Sequence, residues 1–168
     1  MLIDPELLPS LPKGEWPNGL AELVKHGMVA DAALFEWLES HADQLTSPSV
    51  LDVYPLERSA RIKGDIVCCD EREADRRSVL NYGHTVGHAV ERASGYAISH
   101  GRAVAVGMVV EGRLAVDRGL LSRDCMARLQ RLLQQLGLGP KQAARLPRFG
   151  ELVPFLSRDK KRRKGELR

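Results

Sequence analysis

Aromatic side chains make up only 5% of this 168-residue chain, and no stretch approaches the roughly 18 uninterrupted apolar residues that a membrane-crossing helix needs. The opening MLIDPELLPS has no basic region followed by an apolar run, so neither a secretory leader nor a membrane anchor is expected. There are three cysteines, two of them adjacent at Cys68 and Cys69, which gives no even disulfide framework and no C-x-x-C metal pair. Reduced thiols and a cytoplasmic setting fit that pattern, with the cysteines read as core residues. No glycine-rich turn stands between a strand and a helix, so the chain shows no dinucleotide or P-loop site of its own. The formal charge of +3 is carried by the tail 158–168, which holds seven basic and two acidic residues. The tail reads as a solvated segment, and without interleaved aromatics it makes no single-strand nucleic-acid platform.

What is present is ordinary globular material, 43% hydrophobic and 28% charged, and a chain of this length can bury one sizeable core. A single domain spanning 1–168 is expected. Prolines at Pro5, Pro9, Pro12 and Pro17 make 1–18 an extended or turn-like lead-in. Asn18 then reads as the cap of a first helix and Asp31 as the cap of a second. A third helix is expected after Ser47-Pro48, with Pro55 as a candidate break. A helix over 76–93 ends at Gly95, another over 100–117 ends at Gly119, and Ser122 opens a helix closed by Gly137. Short helices around 141–145 and 150–161 complete the chain. No run alternates with period two long enough for a strand, so the expected fold is all-α, a bundle of six to eight helices.

Three of the five histidines, His84, His88 and His100, fall within seventeen residues. His84 and His88 are four apart and share one helical face, near enough to hold one ion or ligand; His100 can fold back over them from the next helix. Each alone reads equally as a hydrogen-bonded, half-buried side chain. Gly83 and Gly87 cost about 1 kcal/mol each in a helix, a cost that calls for close approach of a backbone or ligand. The spacing is similar to the H-x-x-x-H of zinc hydrolases, but Thr85 stands where their glutamate base would be. A carboxylate to complete a metal site can come from Glu22, which shares a face with Lys25; the pair reads equally as a surface ion pair. At helical spacing Glu73, Arg77, Asn81, His84 and His88 form one polar stripe, which suits a ligand better than a core.

Read together, GLAELVK, Lys63 ahead of DERE, RSVLNYGHTVGHAVE, HGRAVAVGM and Asp159-Lys160-Lys161 resemble, in order, the C-terminal half of the 3-dehydroquinate synthases, type members of the sugar phosphate cyclases. The resemblance implies the metal-binding helical domain of that fold. It implies a divalent ion, zinc or cobalt, held by Glu22, His84 and His100. It implies proton transfer by His88 and Glu73, and binding of the substrate's hydroxyls, carboxylate and phosphate by Lys25, Lys63, Arg77, Asn81 and Lys160 or Lys161. Spacing alone pairs His84 with His88; the resemblance moves His88 away from the metal, which leaves it a titratable nitrogen near neutral pH.

The implied substrate is a seven-carbon keto acid phosphate. Its C5 hydroxyl is transiently oxidised by bound NAD so that phosphate leaves by elimination, and reduction, ring opening and an internal aldol closure follow. The family's NAD site lies in an N-terminal α/β domain expected outside this chain, so 1–168 alone is expected to be inactive. A homodimer is the implied assembly, with no nucleic-acid or membrane partner. Arg102 departs from the pattern, which has glutamate there in H-G-E-A-V. Competing readings are another sugar phosphate cyclase, a metal-dependent alcohol or glycerol dehydrogenase, and a non-catalytic helical remnant; the lysine and arginine set favours a phosphorylated substrate.

Overall fold

The computed structural model describes residues 4–12, 14–46, 52–70, 76–139 and 145–156, and within them the fold is helical with no strand. The elements are α1 (Trp16–Ala30), α2 (Ala32–Ser40), α3 (Val53–Cys69), α4 (His84–Ala93), α5 (His100–Asp117), α6 (Arg123–Gln135) and α7 (Phe149–Leu156). Several ends form for the reasons read from the sequence. Asp31 Oδ1 accepts the Leu34 amide at 3.1 Å to start α2, and Ser122 Oγ accepts the Cys125 amide at 3.0 Å to start α6. Gly119, at φ +69°, carries the chain out of α5.

Other expectations are corrected. The lead-in is a 3₁₀ helix over Pro5–Ser10, and Pro17 falls in the first turn of α1, where a missing amide hydrogen costs nothing. Pro55 lies in the first turn of α3 and leaves that helix unbroken for the same reason. Asn18 does not cap α1; its Oδ1 accepts the Gly101 amide at 2.7 Å and so caps α5 from across the fold. Cys68 and Cys69 are exposed and Cys125 half-buried, so none belongs to the core. The helix expected over 76–93 is two pieces: a 3₁₀ helix Arg76–Asn81, a turn through Gly83 at φ +79°, and then α4. The stripe from Arg77 to His88 is therefore not one helical face. Of the helix expected near 141–145 only Arg145 is described, and it is not helical; residues 141–144 and those beyond Leu156 lie outside the described part.

α1 and α5 run through the centre, with α2, α3 and α6 around them. Leu20, Val24, Leu34, Leu38, Val104, Met108, Leu129 and Leu132 make the main core, each at 2% exposure or less. Burying an aliphatic side chain of this size contributes about 1.5–3 kcal/mol. A second cluster, Val90, Ile98 and Ala103, is covered by Leu146 and by Leu152 of α7. No helix among the described residues is long and apolar enough to cross a membrane.

The α4–α5 pair positions the histidines. A Cβ on Gly107 would stand 1.9 Å from the Gly83 carbonyl oxygen, and one on Gly87 would stand 3.1 Å from Val104 Cα. Together with the 91–100 side-chain contact these pairings descend in register, which makes α4 and α5 antiparallel neighbours in backbone contact. Glycine is required at that crossing because any side chain would hold the helices apart.

Candidate metal centre

Glu22 lies half-buried in the middle of α1, and its carboxylate divides its two oxygens. Oε2 accepts a 2.8 Å hydrogen bond from Lys25 Nζ, one turn on. Oε1 is buried, accepts no hydrogen bond, and stands 3.5 Å from His84 Nε2. An orphaned carboxylate oxygen is costly unless something else satisfies it. Two ligands at about 2.1 Å from a tetrahedral ion stand about 3.4 Å apart, so the Oε1–Nε2 separation is that of a ligand pair.

His84 opens α4. Its Nδ1 is 3.2 Å from the Tyr82 carbonyl oxygen. Since a carbonyl can only accept, Nδ1 carries the proton and Nε2 offers a lone pair toward Glu22. Burial first, and then the Lys25 cation, push the His84 pKa down to about 4. The ring is neutral at neutral pH, the form that ligates a metal. His100 opens α5, and one ligand atom each from Glu22, His84 and His100 lie within 4.8 Å of one another. The His84 and His100 ring centroids are 5.4 Å apart.

Burial alone would raise the Glu22 pKa, but the hydrogen bond and charge of Lys25 hold it below the ordinary carboxylate value. Lys25 is itself only 3% exposed. Glu22 is thus an anion fixed beside two imidazoles, a donor set of the type that holds a divalent ion with positions left open.

The remaining sequence candidates fall in three groups. His88, one turn beyond His84, is exposed, with its ring 5.4 Å from His84 and 6.1 Å from His100. Arg77 and Asn81 sit on the 3₁₀ helix leading into α4, which packs against α1 and α3, and the Arg77 amide donates to Asp70 Oδ2 at 3.0 Å. Lys63 is exposed on α3, on the same helix as Ser59, whose Oγ is 2.7 Å from Nδ1 of the buried His26 on α1. Glu73, Lys160 and Lys161 lie outside the described residues. The departure at Arg102 is half-buried, and its Nε is buried without a hydrogen-bond partner.

Sequence reading misses residues that hold the site without joining the ligand set. Glu111 of α5 accepts the Gly83 amide at 2.7 Å and the Val86 amide at 3.2 Å, acting as the N-cap that α4 lacks locally. Its signal is a carboxylate on the stripe His100, Val104, Gly107, Glu111, which is otherwise the face of α5 turned to α4.

Residues 19–162 match the family model described as 3-dehydroquinate synthase C-terminal. The chain belongs to that family. A 3-dehydroquinate synthase of Nostoc punctiforme is 42% identical over 173 residues, covering all of this chain and 47% of the relative. One from a Synechococcus strain is 45% identical over 175 residues, covering all of this chain and 46% of the relative. Among solved structures, the 2-epi-5-epi-valiolone synthase ValA of Streptomyces hygroscopicus, with NAD+ and Zn2+ bound, superposes with a TM-score of 0.82 at 29% identity. It covers 98% of this chain and 46% of that one. A 2-deoxy-scyllo-inosose synthase complexed with carbaglucose-6-phosphate, NAD+ and Co2+ gives 0.80 at 26% identity, covering 95% and 43%. This 3-dehydroquinate synthase C-terminal domain spans about half the length of the curated relatives it matches.

Proposed function

We propose that this chain is the metal- and substrate-binding half of a cytoplasmic 3-dehydroquinate synthase. The whole enzyme is a carbon–oxygen lyase that converts the seven-carbon keto acid phosphate DAHP to 3-dehydroquinate with loss of phosphate, in the shikimate pathway. The observation that carries the reading is the buried Glu22 Oε1, which no hydrogen bond satisfies and which faces the lone pair of His84 Nε2. Identity of 42–45% to 3-dehydroquinate synthases, against 26–29% to the two cyclases above, supports this substrate over another sugar phosphate.

Glu22, His84 and His100 would hold a zinc or cobalt ion, which when bound supplies Lewis-acid polarisation of the hydroxyl being oxidised. Lys25 keeps Glu22 ionised and presents its cation at the edge of the same site. His88, exposed one turn along α4, would take and return a proton, with Glu73 also acting in proton transfer. Arg77 suits a two-pronged grip on carboxylate or phosphate; Lys63, Lys160 and Lys161 add point charges and Asn81 an amide for a hydroxyl. NAD would be held by an α/β domain outside residues 1–168, and the working enzyme would be a homodimer.

The test uses the protein at its natural length, supplied with DAHP, NAD and zinc. Phosphate release that disappears in Glu22→Ala and His84→Ala supports the reading. Oxidation of simple alcohols without phosphate release, or release from a different sugar phosphate only, overturns it. Residues 1–168 alone should release none.

A further inference from the structure

The two imidazoles that converge on Glu22 are oriented by different devices. His84 is fixed locally, by the carbonyl of Tyr82 two residues before it. His100 is the first residue of α5, 39% exposed at its side chain, and its Nδ1 stands 3.2 Å from Glu91 Oε1. Glu91 comes from the last turn of α4, seven residues after His84 and three after His88 on the same face, and is 14% exposed. A carboxylate there faces the negative end of its own helix, an arrangement that costs stability and so asks for a compensating role.

We infer that Glu91 is a positioning residue for His100, accepting its Nδ1 proton and so committing Nε2 to the ion shared with Glu22 and His84. The inference rests on the metal-site reading above. An ionised carboxylate can only accept, so the 3.2 Å contact is a hydrogen bond only if Nδ1 carries the proton. Both histidines then present the same tautomer, with Nε2 as the ligand atom, and the carboxylate fixes the orientation of the His100 ring. The rival geometry uses the same atoms otherwise: His88, Glu91 and His100 also offer ligand atoms within 4.8 Å of one another and could hold an ion themselves. An ion held through Nδ1 of His100 would exclude the first arrangement, because Nδ1 cannot both carry a proton and donate its lone pair.

The experiment measures zinc affinity by chelator competition, on the protein at its natural length, for wild type, Glu22→Ala, Glu91→Ala and Glu91→Gln. It is paired with nitrogen-15 NMR of the imidazoles in the metal-free protein. One zinc per chain is expected, with a Kd raised about 10- to 100-fold in Glu91→Ala and less in Glu91→Gln, which keeps an acceptor but no charge. The NMR should show His100 protonated at Nδ1 in wild type and losing that preference in Glu91→Ala, a change that a purely structural role would not produce. If Glu91→Ala misfolds, Glu91→Gln carries the test, with an unchanged melting temperature without metal and a weakened Kd with it. Unchanged affinity in both Glu91 variants while Glu22→Ala loses zinc overturns the inference and leaves the ligand set standing. Two zinc ions per chain, one lost in Glu91→Ala, overturns it in favour of Glu91 as a ligand. A wild-type protein that binds no zinc overturns the inference and the metal-site reading together.

Discussion

Lys25 Nζ lies 2.8 Å from Glu22 Oε2, and the lysine side chain has only 4% of its surface exposed. The cation is buried beside an anion whose other oxygen faces the histidines. Removing the anion strands the cation, and breaking a buried pair costs about 3–5 kcal/mol; Glu22 is 32% exposed, so about 2 kcal/mol is expected here for Glu22→Ala without metal. The double variant Glu22→Ala/Lys25→Met should be more stable than Glu22→Ala alone, as urea unfolding of the four members of the cycle would show.

A second outcome follows from the α4–α5 crossing. Gly107→Ala places a methyl group where the Gly83 carbonyl oxygen would be 1.9 Å away, so the helices must separate. A loss of about 3 kcal/mol or more is expected, with weakened zinc binding, because His84 and His100 ride on the two helices forced apart. Gly64, inside α3, is the control, because a methyl group added there would meet nothing within 4 Å: Gly64→Ala should gain about 0.5–1 kcal/mol. Thermal melts of both variants test the contrast.

Glu111 provides a third. Its carboxylate caps α4 through the Gly83 and Val86 amides, and Glu111→Ala should cost about 1–3 kcal/mol. The loss should be concentrated in the first turn of α4, read as faster amide exchange at Gly83 and Val86. Glu111→Gln, which retains an acceptor, should lose less.

The pH dependence has a definite sign. Burial first, and the Lys25 charge second, push the His26 pKa down to about 4 from 6.5. The unfolded chain therefore binds more protons than the folded one between those values, so the contribution is present above pH 6.5 and is lost as pH falls toward 4. About 2 kcal/mol of stability should go between pH 7 and pH 5 through His26. His84 titrates with the same sign. Unfolding of the metal-free protein across this range should show the slope, and His26→Gln should remove its share while leaving that of His84.

These outcomes depend on contacts of unequal legibility in the sequence. Helix ends set by a residue's own neighbours, such as Asp31, Ser122 and Gly119, can be read because the cap and the capped amide lie within a few positions. Asn18 has the look of another such cap, yet its partner is the Gly101 amide, 83 residues away. The break at Gly83 is equally invisible. It follows from the closeness of α5, since a Cβ there would meet Met108 Cγ at 2.6 Å, and the local pattern permits a continuous helix. At the candidate site, the family motifs mark Glu22, His84 and His100, which the structure brings together. Glu91 and Glu111 stand in the same stretches of sequence without a visible role, because what they do depends on the antiparallel register of two helices.

The Asn18–Gly101 hydrogen bond closes a loop of more than eighty residues at the point where the carboxylate of α1 meets the imidazoles of α4 and α5. The hairpin of α4 and α5 is built from near neighbours in the chain, whereas bringing Glu22 to it requires that long closure, which is expected to form later. Ion capture at full strength should therefore lag behind helix formation during refolding, which makes a zinc-sensitive dye a reporter of the last topological step.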